Sequence, residues 1–249
     1  MPAPQDITFC VHCRNRLDQL KKTLPENLAV ISRYPNVGMT LLNYNSADNL
    51  HDWARSKLAG EISSGKLIYA RETRSRIFHC SKSKNLAHKL AHGRFLVNLD
   101  ADNFIGDTIP LIVENLARHP RLVLRTWTGE FTDGTCGRIG IHRRDFHRLG
   151  GYDESFLPMG FQDLDLIIRA RAIGIPLLDV RCDAKALPNP KSRSIKHIGE
   201  VANRMTWEEM NLRNMNRSQR NRANGKLRAN PNGWARAEVE INFTRRTVL

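Results

Sequence analysis

Ser81–Phe104 reads SKSKNLAHKLAHGRFLVNLDADNF, and the fold class turns on it. The spacing predicts a helix from about Ser83, with Leu86, Ala87, Leu90 and Ala91 on one side and Gly93 closing it as a C′ residue. RFLVNLD then reads as a buried strand. Two carboxylates, Asp100 and Asp102, follow one residue apart where that strand should run out. A helix, a glycine and a strand ending in aspartate form an α/β alternation, which favours a mostly parallel sheet.

The same alternation extends in both directions. Upstream, DITFCVHCRNR (Asp6–Arg16), VGMTLLNYNS (Val37–Ser46) and KLIYARET (Lys66–Thr73) read as strands. Between them, Leu17, Leu20, Leu24 and Leu28 mark one helical face that Pro25 is expected to bend or interrupt, and NLHDWARSKLA reads as a second helix. Downstream, IPLIVENLARHP is helical, and RLVLRTW and GRIGIHR are strands. RDFHRLGGYDESF is a short helix that breaks at Gly150-Gly151. QDLDLIIRARAIG is a helix with Leu164, Ile167, Ile168 and Ala172 inward, and IPLLDVR is a strand. We expect residues 1–199 to form one α/β domain. Residues 200–249, rich in Asn and Arg with helical stretches, form a basic extension packed on it.

Composition narrows the class. With 249 residues, 41% of them apolar and 26% charged, the chain can bury one large core. No apolar run approaches the roughly 20 residues of a membrane span. MPAPQDITFC lacks the charged and apolar regions of a signal peptide, so a cytoplasmic location is expected. The five cysteines are scattered and odd in number, which suits a reducing compartment. Cys10 and Cys13 lie in a strand with an odd separation, so they should face opposite ways. The +14 charge is concentrated: Arg55–Arg94 holds ten Lys/Arg against two Glu, and Asn211–Arg236 holds seven and no acid. Such blocks attract phosphates or polyanions.

In open α/β sheets ligands collect beyond the carboxyl ends of the strands, which is where Asp100 and Asp102 fall. In extended chain an i,i+2 pair points the same way. Two carboxylates so placed suit a hard divalent ion shared with substrate phosphates. An acidic solvated turn would read the same way, and the buried strand with its basic approach favours the clamp. HKLAH (His88–His92) has zinc-helix spacing but Lys89 where the general base would stand, so both histidines read as helix-surface residues.

NLDADNF after SKSKNLAHKLAHG, with CRNRLDQLKKTLPENL and LLNYNSADNL upstream and GGYDESFLPMGFQDLDL downstream, resembles the GT-A glycosyltransferases of the family 2-like superfamily. The downstream segment is similar to the G-G-[FY]-D-E…G-x-E-D-x-D-L stretch of galactosyltransferase C-terminal and polypeptide N-acetylgalactosaminyltransferase-like enzymes. The resemblance spans about residues 6 to 200. It implies a GT-A (Rossmann-like) mixed, mostly parallel sheet flanked by helices. It also implies a hexosyl- or N-acetylhexosaminyl-transferase that uses a nucleotide-diphosphate-sugar, a UDP-sugar, and inverts at the anomeric carbon. Asp100, Asp102 and His197 would hold Mn²⁺ (or Mg²⁺). Cys13, Arg14, Arg16, Asn43, Asn45, Lys84, Asn85 and Ala101 would join the two aspartates around the donor. Asp163 would be the catalytic base, and Trp127, Gly151, Tyr152, Gln162 and Asp165 would lie toward the acceptor. Two positions depart from the pattern: Gln162 stands where the family has Glu, which puts the acceptor in question, and Asn43 stands where relatives often carry Asp. The rival reading is a nucleic-acid-binding protein whose basic segments grip phosphates. Between the two lies a transferase with a polyanionic acceptor, either a glycan or a modified base in DNA.

Overall fold

Strand β1 (Ile7–Cys13) is buried at every position, and the sheet is built around it. The computed structural model describes residues 6–190 and 195–249. β1 pairs in parallel with β2 (Val37–Tyr44) on one side and β4 (Phe95–Asp100) on the other, and β2 pairs in parallel with β3 (Leu67–Glu72). Strands covered on both faces need no polar alternation, which is why they read as apolar runs. Beyond β4 come β7 (Ile139–His142) and β6 (Val123–Trp127), both antiparallel to their inner neighbours, and then β8 (Leu177–Arg181), parallel to β6. The sheet is therefore mixed, with a parallel centre. A two-stranded sheet, β5 (Asn103–Phe104) with β9 (Lys185–Ala186), lies apart from it.

The two faces carry separate cores. On one, Phe9, Val11, Met39, Leu41, Val97 and Leu99 meet Leu20, Leu24 and Ile31 of α1 (Leu17–Ser32), with α2 (Leu50–Lys57), the short α3 (Ala59–Ser63) and α5 (Thr108–Arg118) beside it. On the other, Cys10, Leu42 and Leu96 meet Leu86 and Ala87 of α4 (Cys80–Lys89), Phe146 of α6 (Arg143–Arg148), and Leu166, Ile167 and Ala170 of α7 (Gln162–Ala172). Cys10 and Cys13 fall in opposite cores as the strand period requires, and all five thiols are free.

Several local expectations change. α1 runs through Pro25 without a break. The proline is exposed, so the carbonyl it leaves unpaired can be hydrated while the leucine face stays packed. α4 begins earlier than expected, at Cys80, and is buried at eight positions. Its C-cap is Leu90, so Gly93 is not its C′ residue. A Cβ at Gly93 would lie 2.6 Å from Thr8 Oγ1 and 2.7 Å from Thr8 N, and that close crossing of β1 is what requires glycine. The inward face of α7 is Gln162, Asp165, Leu166, Ile167, Arg169 and Ala170, which keeps Ile167 from the expected set but not Leu164, Ile168 or Ala172. It accommodates two charges because Arg169 Nε donates to Asp165 Oδ2 at 2.7 Å.

The C-terminal segment is woven into the fold. Its helix α8 (Trp207–Ala223) packs on α7. It is opened by a capping box in which Thr206 and Glu209 exchange hydrogen bonds. Its two strands, β10 (Glu238–Ile241) and β11 (Arg245–Val248), escaped the sequence reading. β10 pairs antiparallel with β3, and the sheet order becomes β11-β10-β3-β2-β1-β4-β7-β6-β8.

His88, expected on the helix surface, is buried. Its Nδ1 lies 2.8 Å from the Lys84 carbonyl and its ring stacks on Phe146 at 4.7 Å. Burial pushes its pKa down to about 3, and burial likewise takes His79 to about 4. Below the ordinary histidine value of 6.5 the unfolded chain binds protons at these sites that the folded chain refuses, so stability must fall as pH drops from about 6.5 toward 4. We predict that guanidinium unfolding between pH 7.5 and 4 shows this loss. His88→Leu should flatten the slope by up to about 1.4 kcal/mol per pH unit.

Candidate active site

The carboxyl ends of β1 and β4 stand side by side, with His12 in register with Asp100. The N-terminal turn of α4 faces them. Its Ser83 Oγ lies 2.9 Å from His12 Nδ1, and Lys84 points the same way. From below, the first turn of α7 brings Gln162 and Asp163. His12, Lys84, Asp100, Gln162 and Asp163 line a cavity of about 160 Å³ together with Arg14, Arg16, Phe78, Cys80, Ala101, Met159, Asn189 and His197.

Charge is arranged tightly here. The Lys84 ammonium is buried and donates to Asp163 Oδ1 at 2.7 Å, with Asp100 Oδ1 3.9 Å away. Burial opposes its protonation, but Asp163 and Asp100 outweigh this and raise its pKa well above the ordinary value. Burial also opposes ionisation of Asp100, yet Lys84, His12 and the Asn98 amide hold that carboxyl below the usual carboxylate range. Asp163 moves the other way, pushed up by burial against the pull of Lys84.

Asp100 and Asp102 do not point the same way into the cavity. β4 ends at Asp100 and the chain turns at Ala101-Asp102, so the period of two stops applying. Asp102 is buried at the cavity's edge. Arg16 NH1 approaches its Oδ2 at 3.1 Å, Asn189 Nδ2 donates to the same oxygen at 2.6 Å, and Asn103 Nδ2 donates to Oδ1 at 2.8 Å. Burial and then the neighbouring Asp100 charge push its pKa up despite these partners. The Asp100 charge thus opposes ionisation of Asp102. Among the described residues no three His, Cys, Asp or Glu side chains converge as a metal-ligand set, so the Asp100–Asp102–His197 triple is not gathered. His197 does line the cavity, with its Nδ1 3.3 Å from Asn15 Nδ2. Two carboxylates that repel fit a hard divalent ion, because such ions are commonly held by one or two carboxylates plus substrate phosphates.

Of the residues expected at the site, Arg14, Arg16, Lys84, Asp100, Ala101, Gln162, Asp163 and His197 reach the cavity. The others support it or lie elsewhere. Cys13 is in the core. Asn43 donates to Tyr69 Oη and accepts from Ser46 N, which shapes the turn after β2. Asn45 donates to the Ser75 carbonyl, which Arg14 also holds at 2.8 Å. Asn85 is fully buried and exchanges hydrogen bonds with the Tyr152 backbone in both directions. A Cβ at Gly151 would lie 2.4 Å from the Asn85 Oδ1, so that glycine packs against Asn85 rather than reaching an acceptor. Tyr152 is buried under Lys84, whose Nζ lies 5.3 Å from the ring centroid. Asp165 is enclosed by Arg169 and by Ser218, whose Oγ donates at 2.7 Å. Trp127 packs beneath the Arg125 guanidinium at 4.0 Å and beside Phe131 at 4.9 Å, outside the cavity lining. The sequence reading missed His12, Phe78, Cys80, Met159 and Asn189. His12 could have been found, since it lies at the carboxyl end of the first strand, two residues before Arg14. Cys80 opens α4, and Phe78, Met159 and Asn189 are brought in by loops with no local signature.

Comparison with solved structures identifies this architecture. The chain matches S. aureus TarS 1–349 with a TM-score of 0.57 at 14% identity, over 73% of this chain and 60% of that one. It matches mannosyltransferase PcManGT from Pyrobaculum calidifontis, in complex with GDP-Man and Mn²⁺, with a TM-score of 0.58 at 19% identity, over 79% and 63%. It also matches the catalytic domain of Drosophila β1,4-galactosyltransferase 7, in complex with xylobiose, with a TM-score of 0.53 at 14% identity, over 78% and 75%. The fold is GT-A. No family model and no curated protein matches the sequence. The chain spans about 60% of the length of the TarS fragment. In GT-A terms the cavity sits where β1 and β4 of the parallel centre end.

The enclosure of Asp165 has a measurable consequence. Asp165→Ala removes one partner of a buried pair and leaves Arg169 uncompensated, so urea unfolding should show a loss of about 3–5 kcal/mol. A role for Asp165 in holding an acceptor would instead leave stability near wild type.

Proposed function

We propose that the protein is a metal-dependent glycosyltransferase. It would move a hexosyl or N-acetylhexosaminyl group from a nucleoside-diphosphate sugar, a UDP-sugar, to an acceptor hydroxyl with inversion. One observation carries the reading: Asp163 and Asp100 face each other across the buried Lys84 ammonium in the cavity at the carboxyl ends of the strands of a GT-A fold. TarS has been solved with UDP-GlcNAc and with UDP and PcManGT with GDP-Man and Mn²⁺, which supports this donor class and this ion.

Asp100 and Asp102 would hold the divalent ion. When bound, it would neutralise charge developing on the departing diphosphate without proton transfer. Arg14 and Arg16, both in the cavity wall, supply positive charge for the same diphosphate. Asp163 takes the proton of the attacking hydroxyl, and the upward push that burial gives its carboxyl favours accepting one. Lys84 keeps that carboxylate oriented. Asp102 starts out paired with Arg16 and Asn189, so donor and ion must compete for it. No helix among the described residues is long and apolar enough to cross a membrane.

The test is calorimetric titration with UDP-GlcNAc, UDP-glucose, UDP-galactose and GDP-mannose, with and without Mn²⁺, followed by assay of nucleotide release. Asp163→Asn should slow transfer by about 10²–10⁴-fold while donor affinity stays within a few-fold of wild type. Asp100→Ala and Asp102→Ala should abolish the Mn²⁺ dependence of donor binding. Full activity in Asp163→Asn, or donor binding indifferent to Mn²⁺ in the wild type, would refute the assignment.

A further inference from the structure

The Asn-rich C-terminal helix has a buried polar seam, and that seam lies against the turn that presents Asp163. Asn214 in α8 is 1% exposed. Its Oδ1 accepts from Leu157 N at 2.7 Å, and its Nδ2 lies 2.8–3.2 Å from the carbonyls of Leu157, Met159 and Gly160. One side-chain amide thus meets the Leu157 N–H and shares its two hydrogens among three carbonyls of an irregular, partly buried loop. The loop then passes through two successive left-handed residues, Gly160 with φ +92° and Phe161 with φ +67°. Left-handed backbone is ordinary for glycine but costly for phenylalanine. It persists only where the surroundings over-determine it. The α8 backbone packs on this point so closely that a Cβ at Gly160 would lie 2.7 Å from Asn211 Cα. Two residues beyond Phe161 is Asp163, and one turn further Ser218 of α8 holds Asp165.

We propose that Asn214 is a positioning residue. By locking the strained 157–161 turn, it fixes the start of α7 and so sets where the Asp163 carboxylate stands against Lys84 and the cavity. The inference rests on the assignment of Asp163 as base. It gives the C-terminal segment a second task within the same site: Asn214 serves the chain's own backbone, while Arg213, Arg217 and Arg220 lie exposed on the helix. The Cys80 N–H bond to the Pro158 carbonyl at 2.8 Å and the His79 ring 3.1 Å from the Phe156 carbonyl hold the same loop from the α4 side. The turn is therefore gripped between the helix that carries Lys84 and the helix that carries Asn214.

The experiment compares wild type, Asn214→Ala, Phe161→Gly and the double variant in the full chain. Two readouts are taken: amide hydrogen exchange, and the rate of UDP release from UDP-GlcNAc with Mn²⁺. Asn214→Ala should speed exchange across residues 157–163 at least tenfold while β1 and β4 keep wild-type protection. It should also lower kcat at least tenfold with the KM for UDP-GlcNAc within about twofold. Phe161→Gly relieves the left-handed strain and should restore part of both losses in the double variant. If Asn214→Ala alone does not fold, the double variant against Phe161→Gly makes the same comparison. Unchanged exchange at 157–163, or exchange raised equally throughout the molecule, overturns the proposal. A wild type inert toward every nucleotide-sugar overturns the functional reading instead, and the exchange data alone then uphold or overturn the clamp.

Discussion

A buried ammonium organises this molecule. Lys84 belongs to α4, Asp163 to α7 and Asp100 to β4, and the three charged heads converge. A lone ammonium in such a place would be too costly to keep ionised. Lys84 is tolerable because the two partly exposed carboxylates are there, so the two helices and the strand end must be placed close to one another. The backbone of Gly137 closes the ring: a Cβ there would lie 3.3 Å from Asp163 Oδ2, 3.4 Å from Asp100 Oδ2 and 3.7 Å from Lys84 Nζ. The same charges that a catalytic site needs therefore act as a structural constraint.

The wider polar network extends that constraint outward. Asn85 fixes the backbone of Tyr152. Asn230 donates to the carbonyls of Gly150 and Tyr152 and accepts from Glu154 N, and Asn214 fixes residues 157–160. The segment from Gly150 to Phe161 is irregular and largely buried, so many of its peptide groups need partners that no helix or sheet ladder supplies. Side-chain amides, which carry both a donor and an acceptor, are suited to fill that gap. Asn214 and Asn230 of the C-terminal segment serve this purpose, while Arg213, Arg217 and Arg220 remain on the surface.

Some of this was legible residue by residue. The helix–strand alternation around Phe95–Asp100, the apolar runs of β1, β2 and β4, and the opposite facing of Cys10 and Cys13 all follow from periodicity, which is a local property. The place of Asp100 at a strand end was anticipated because ligands gather there in α/β sheets, whereas Arg14, Arg16, Lys84, Gln162 and Asp163 were expected beside it only through the resemblance to GT-A enzymes. Charged residues inside α4 and α7 were harder. Hydropathy assigns Lys84, Asp165 and Arg169 to the surface, since only a well-placed partner, on the same helix for the last two, makes burial of a charge acceptable.

The amino-acid sequence by itself determined the class of sheet, the strand that ends in Asp100 and the supply of carboxylates and cations. It did so because side-chain period and turn chemistry act over a few residues. Only the tertiary structure decided which of those charges meet. It turned Asp102 toward Arg16 and Asn189, buried His88 against Phe146, and brought β10 to the edge of β3. Those outcomes are pairings between residues 58 to 171 positions apart, set by how whole elements pack and by the cost of leaving a buried polar group without a partner. No local pattern encodes such a pairing.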